Sequence, residues 1–218
     1  TVYSPLQLEG TISGVSEIAK FNPSSDTSLG LRHIELSPDR QYIFSGSFDS
    51  KLRVYNSLTW RELFTFDHTW EELTEENSPA VINIYEEADS KEGIYYEALS
   101  RPFKIPHLPL QQQQAPKGAS IGLPKKGISK IAISFDQRFI ASKSEDSPRV
   151  IWIWDLTEMC LNSLIVQKQE VVDLSWCPKT HNLNISTAAA RLFLWSPKGA
   201  SVCQVPLGSG KKADDLEV

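Results

Sequence analysis

Apolar and polar residues alternate along three stretches of the chain, and each stretch contains the same order of short runs. The first extends from Ile34 to Asn56, the second from Ile131 to Asp155 and the third from Val172 to Ser196. Turn-forming Pro, Asp or Gly residues separate most of the runs, and a further apolar run follows each stretch. Alternation with a period of two predicts β-strands with one buried face. The pattern therefore predicts an all-β fold with four short antiparallel strands per stretch.

The spacing of the three stretches indicates the architecture. An aromatic residue ends the third run of each, and the last two of these residues, Trp154 and Trp195, are 41 residues apart. Four strands in a repeat of about 40 to 45 residues are typical of a β-propeller blade. Because propellers close with four to eight blades, we expect three to four blades that are part of a larger propeller.

One interval is too long and predicts an insertion. Tyr55 and Trp154 are 99 residues apart, 58 more than the repeat, and the excess falls at about residues 70–127. The first half of this segment is rich in Glu, and the second half is rich in Gln and Pro. Thr69 and Glu72 have capping-box spacing, which predicts one short helix that Pro79 ends.

Two interpretations of the acidic half remain open. It is either solvated and disordered, or an electrostatic contact for a basic partner segment. We expect the insertion to lie over the top face of the propeller and to be largely mobile. The candidate partner contacts are Trp70, Glu71, Glu72 and Tyr85.

The same patterns divide the chain into segments. We expect the end of a preceding blade and a linker at 1–29, a blade at 30–69, the insertion at 70–127, blades at 128–169 and 170–208, and a linker to a missing blade at 209–218. An incomplete ring leaves an apolar blade face and an unpaired strand edge at each end, so we expect the isolated chain to associate with itself.

Composition and charge exclude several functions. The 218 residues carry a net charge of -5, which disfavours nucleic acid as a partner. No apolar run approaches the roughly 20 residues of a membrane span, and three cysteines without a Cys-x-x-Cys pair favour an intracellular location. Gly118-Ala-Ser-Ile-Gly122 matches a nucleophile elbow, but it lacks the flanking strand and helix that catalysis needs. The four histidines lack metal-ligand spacing, so we predict no metal site. We also predict no enzyme activity and no cofactor.

The dipeptide Trp154-Asp155 and the blade pattern resemble the WD40 superfamily. In that superfamily a buried Trp donates to a Ser or Thr on the neighbouring strand, and a turn Asp and a loop His complete a hydrogen-bonded chain. The resemblance implies these roles for Trp154, Ser142, Asp146 and His68. The corresponding structural residues of the other blades are Tyr55, Asp49 and Trp195.

A closer resemblance rests on the order of several motifs. They are Ser37-Pro38, Gly46-Ser-Phe-Asp49, Lys51-Leu-Arg-Val54, Leu58-Thr-Trp60, Phe66-Asp-His68, Trp154-Asp155, Leu194-Trp-Ser-Pro197 and Val205-Pro206. This order is similar to that of the WD-repeat spindle-pole and centrosomal scaffold family, encoded in animals antisense to a tumour-suppressor gene. Asp67 departs from the family, which usually has Gly before the His.

The resemblance implies a function. It implies a non-enzymatic cytoplasmic and cytoskeletal scaffold that holds a coiled-coil partner and a kinesin-14-type motor at microtubule minus ends. The remaining blades of the full-length chain are expected as further contacts. The alternative is a substrate receptor or adaptor in a ubiquitin ligase or another multiprotein complex.

Overall fold

The computed structural model of the chain describes residues 2–8, 11–19, 30–76, 81–91, 93–109, 126–189 and 191–204. Within these ranges all regular secondary structure is β-strand. In chain order the strands are β1 (Val2–Leu8), β2 (Thr11–Ala19), β3 (Leu31–Leu36), β4 (Tyr42–Ser47), β5 (Lys51–Asn56), β6 (Glu62–Asp67), β7 (Glu72–Leu73), β8 (Asn83–Ser90), β9 (Gly93–Leu99), β10 (Phe103–Lys104), β11 (Ile128–Ile133), β12 (Phe139–Ser144), β13 (Val150–Asp155), β14 (Cys160–Val166), β15 (Val171–Trp176), β16 (Leu183–Thr187), β17 (Arg191–Ser196) and β18 (Gly199–Gln204).

Three groups of four consecutive strands form the blades. We call them blade A (β3 to β6), blade B (β11 to β14) and blade C (β15 to β18), and in each one the strands pair in sequence order. All pairings within a blade are antiparallel. This arrangement confirms the predicted all-β fold of propeller blades. Strands β1 and β2 form a separate antiparallel pair.

Blade B lies between the other two blades and packs against both. On one face, Trp152 and Trp154 of β13 join a buried cluster that includes Phe44 of blade A. On the other face, Ile153 joins a second cluster that includes Trp195 of blade C. Because successive residues of a strand point to opposite faces, a blade covered on both sides needs strands without a polar face. All six residues of β13 are accordingly buried.

Two glycines allow the beginning of β11 to lie directly against blade A. Gly127 has φ +85°, and a Cβ atom there would lie 2.4 Å from the Cα atom of Phe48 and 2.4 Å from the carbonyl oxygen of Ser47. A Cβ atom on Gly46 would lie 2.7 Å from Cβ of Ile128. Both positions therefore require the absence of a side chain.

The described part of the insertion is ordered. β7 and β10 pair at its base, and β8 and β9 form an antiparallel hairpin between them. β8 also pairs in parallel with β14, so the sheet of blade B has six strands, in the order β11-β12-β13-β14-β8-β9. The expectation of a largely mobile insertion does not fit the described residues 83–91 and 93–104, because most of them lie in paired strands.

The predicted helix after Thr69 is also wrong. Residues 69–76 contain no helix, and Glu72 lies in β7 instead. The backbone of Glu72 pairs with that of Lys104, and the N–H of Ile105 donates to the carbonyl of Glu71 at 2.8 Å. Pairing with the returning chain therefore replaces the capping-box interaction.

Some predictions concern residues that the structure does not describe. They are the linker at 209–218, most of the Gln- and Pro-rich half of the insertion at 110–125, and the Gly118–Gly122 motif. These predictions lie outside the described residues.

We expect Gly127→Ala to lower the free energy of unfolding by about 2–3 kcal/mol, because it adds both a steric clash and backbone strain. Gly93→Ala is the matched control. Gly93 also has positive φ, +140°, but beyond its chain neighbours no atom lies within 4 Å of the place that a Cβ atom would take. Strain alone should therefore cost about 1 kcal/mol there. Urea unfolding of both variants measures the difference, and equal losses would contradict the close approach.

Candidate functional site

A buried polar chain crosses the junction between blades A and B. The indole N–H of Trp154 donates to Oγ of Ser142 at 3.1 Å, and Oγ of Ser142 lies 2.7 Å from Nε2 of His68. His68 follows β6 of blade A, whereas the other two residues belong to β12 and β13 of blade B. All three side chains are buried. The chain therefore satisfies polar atoms that burial would otherwise leave unpaired.

Asp146 lies at the same junction but binds different partners. Its carboxylate accepts hydrogen bonds from Ser144 and, at 2.7 Å, from Ser50 of blade A. Nδ1 of His68 makes no hydrogen bond with any described atom. The structure thus brings all four residues of the expected chain to one junction, with Asp146 bonded to serines and not to His68.

Burial controls the protonation of His68. The loss of solvation lowers the pKa of His68 from 6.5 to about 4, and the negative charge of nearby Asp146 opposes this shift only in part. His68 is therefore neutral at physiological pH. A neutral ring allows Nε2 to accept the proton of the Ser142 hydroxyl.

Blade A uses an ion pair in place of the second tryptophan. Arg53 occupies the position of Trp152, and its guanidinium donates to both carboxylate oxygens of Asp49, at 3.2 and 2.6 Å. Sequence reasoning proposed Asp49 but missed Arg53, which is buried. Tyr55, also buried, replaces Trp154, and burial raises the pKa of its hydroxyl.

Blade C lacks the hydroxyl that completes the chain in blade B. Leu183 pairs with Trp195 as Ile140 pairs with Trp154, which puts Ile185 at the position of Ser142. The indole N–H of Trp195 accordingly has no hydrogen-bond partner among the described atoms.

The insertion supplies a different connection to blade C. Gln167 follows β14 as His68 follows β6, and its amide donates to the hydroxyl of Tyr96 in β9. The backbone N–H of Lys168 donates to Glu87 of β8 at 2.9 Å, and its ammonium group pairs with Asp89. Sequence reasoning missed these residues. A signal in the sequence for the strand that carries Tyr96 was the strand-like run from Ile94 to Tyr96.

The candidate partner contacts are distributed unevenly. Trp70 is partly buried against Trp152 and Trp154, with ring centroids 6.1 Å from each. Tyr85 is partly buried in the second core cluster, 6.4 Å from the ring of Tyr96. Neither ring has the exposed position that an anchor for a partner requires.

The two glutamates near Trp70 differ in exposure. Glu71 is exposed, and Glu72 is partly exposed in β7. Of the four candidates, Glu71 is exposed, whereas the other three are partly buried. Glu71 is therefore the most accessible of them to a partner.

The described ranges contain no group of three His, Cys, Asp or Glu residues that could hold a metal ion. None of their elements is a helix long and apolar enough to cross a membrane.

Comparison with known proteins identifies the repeat. Residues 16–56 match the family "WD domain, G-beta repeat". The mouse protein "WD repeat-containing protein WRAP73" is 29% identical over 199 residues, which cover 82% of this chain and 41% of that protein. The chain is therefore similar to WD-repeat proteins, and residues 16–56 match one such repeat.

One further curated relative and one solved structure are also similar to this chain. The "Uncharacterized WD repeat-containing protein C32H8.09" of Schizosaccharomyces pombe is 26% identical over 183 residues, which cover 84% of this chain and 35% of that protein. A solved structure, "Structure of U3-55K", is similar with a TM-score of 0.49 and 15% identity, over 84% of this chain and 41% of that one. The chain thus spans about two fifths or less of the length of the curated relatives it matches.

We expect Trp154→Ala to lower the free energy of unfolding by about 3–5 kcal/mol, because it opens a cavity between blades A and B. Trp154→Phe keeps most of the ring but loses the N–H donor, so its cost should be about 1–2 kcal/mol. Chemical denaturation measures both values. Unchanged stability of Trp154→Ala, combined with loss of a binding partner, would instead make Trp154 a contact residue.

We also expect stability to fall as the pH drops from about 6.5 to about 4. The folded state holds the pKa of His68 at about 4, below the value of 6.5 without burial, so the unfolded chain binds more protons in this window. The His68 contribution is complete above pH 6.5. Urea titrations across this range should show a shallower slope for His68→Gln, and an unchanged slope would contradict the burial of a neutral ring.

Proposed function

We propose that this protein is a non-enzymatic WD-repeat scaffold for protein-protein interaction at the spindle pole or centrosome. In this role it anchors microtubule minus ends by holding a coiled-coil partner and a kinesin-14-type motor. The proposed location is the cytoplasm and its cytoskeleton.

Similarity to WRAP73, a WD repeat-containing protein, supports the WD-repeat scaffold in this proposal, since it extends over 82% of the chain. The sequence motifs are also in the order found in the spindle-pole family. These motifs lie in all three blades and continue from Phe66 to His68, directly before the insertion. They therefore include the junction from which the insertion leaves blade A.

The observation that carries the scaffold role is the ordered attachment of the insertion. Gln167 and Lys168 of the loop between blades B and C bind Tyr96, Glu87 and Asp89 of the hairpin. A surface held by a rigid frame loses little conformational entropy when a partner binds. The blades thus provide the frame, and the insertion provides the surface.

Affinity purification of the tagged full-length protein from mitotic cells, followed by mass spectrometry, tests the proposal. We expect tubulin-associated and coiled-coil proteins, together with a tag signal that overlaps a spindle-pole marker. Recovery of cullin adaptors, with a signal away from the poles, would support the ubiquitin-ligase alternative and overturn the proposal. Cells that express the tag alone are the control.

A further inference from the structure

The six-stranded sheet of blade B ends in an open edge. β9 is its last strand, and only β8 pairs with it. On its other side, the backbone of β9 makes no hydrogen bond with the described residues. An unpaired edge of seven residues has a row of N–H and C=O groups that another strand can bind. The edge therefore has the backbone chemistry for strand addition.

Packing against blade C holds this edge in place. Tyr96 lies with its ring centroid 6.0 Å from that of Phe193 in β17, and Ile94 packs on the same cluster. Tyr96 is also bound by Gln167. β9 is thus already in the extended conformation that pairing needs. The conformational entropy lost when a strand is added is therefore mainly that of the incoming segment.

The face of the hairpin that points away from blade C carries a negative charge that no described residue neutralises. Glu86 of β8 and Glu97 of β9 lie directly opposite each other, and both are exposed. Like charges at directly opposed positions destabilise a strand pair. No described cation forms an ion pair with either carboxylate.

Tyr95 adds an apolar contact on this face. It pairs with Ala88 and is 45% exposed, two residues from Glu97. In an added strand, side chains two residues apart point to the same face. A basic side chain opposite Glu97 and an apolar side chain opposite Tyr95 would therefore complement the hairpin.

We propose that the free edge of β9 binds an extended segment of a partner protein as a seventh strand of blade B. This segment carries Lys or Arg opposite Glu97 and an apolar residue opposite Tyr95. Backbone hydrogen bonds provide the affinity, and these two side-chain contacts provide the selectivity. The inference rests on the proposed scaffold function and names the kind of segment that the scaffold binds.

A synthetic peptide tests the edge directly. The probe is the capped peptide Thr-Lys-Thr-Val-Thr-Lys-Thr-Val-Thr, added to the full-length protein during amide hydrogen exchange. We expect every second amide of β9 to gain protection of at least threefold, because alternate N–H groups of an edge strand point outward. No gain in protection would overturn the proposal.

Two control peptides separate strand pairing from charge attraction. Replacement of the central Thr by Pro removes a backbone donor, and replacement of both Lys by Glu reverses the charge. We expect neither peptide to protect β9. Equal protection by the Pro peptide would show charge attraction without strand addition, and would also overturn the proposal.

Protein variants test the side-chain contacts. We expect the double variant Glu86→Gln and Glu97→Gln to weaken peptide binding about five- to tenfold, which is the effect of one or two exposed ion pairs. Glu158→Gln is the matched control, since Glu158 is exposed in the turn between β13 and β14, and binding should not change. Equal affinity of the double variant and the wild type would refute the contact with Glu97.

Failure of this inference is distinguishable from failure of the scaffold function. If the wild-type protein recovers its mitotic partners and the double variant recovers them equally well, the scaffold function stands and the proposed contact of the partner with Glu97 fails. If the wild type recovers no spindle-pole partner, the scaffold function itself fails.

Discussion

Each blade has two faces that must be covered, and this requirement governs the rest of the structure. Blade B meets it by packing on blade A with one face and on blade C with the other. The consequence is clearest in β13, where all six residues are buried. A strand buried on both faces has no side left for a partner. Surfaces for recognition are therefore limited to turns, edges and added segments.

Polar groups inside such a stack need internal partners, and the two junctions meet this need to different degrees. Between blades A and B, His68, Ser142 and Trp154 form a chain of neutral groups. Between blades B and C, Ile185 replaces the serine, and Gln167 turns to Tyr96 of the insertion. The insertion thus contributes to a junction that is not the one from which it leaves. The hairpin of the insertion therefore takes part in the packing between blades B and C.

Features that depend on residues close together in the chain could be predicted from the sequence. Alternation and the 41-residue spacing predicted the blades, because each blade consists of neighbouring strands joined by short turns. The chain of Trp154, Ser142 and His68 followed from a resemblance in which residue types recur at fixed places. Arg53 was missed because a charged residue in the middle of a strand suggests exposure, whereas its guanidinium is buried with Asp49 and Ser47 as partners.

The insertion could not be predicted in the same way. Its many glutamates suggested solvation, yet Glu87 is buried because it accepts a backbone hydrogen bond from Lys168. β8 pairs with β14, far away in the chain, and single-sequence patterns do not show such a partner. Ile84 and Tyr96 were the available apolar signals, but without β14 and blade C they had no surface on which to pack.

The parallel pairing of β8 with β14 has a consequence for the order of folding. Glu86 and its partner Val166 are separated by about 80 residues, and β14 leaves the ribosome after β8. At about 5–20 residues per second, this interval is several seconds or more. During synthesis the hairpin must wait for blade B to form before it can dock. Until it docks, the hairpin is an unpaired strand segment with adjacent carboxylates, and charges of this kind disfavour aggregation.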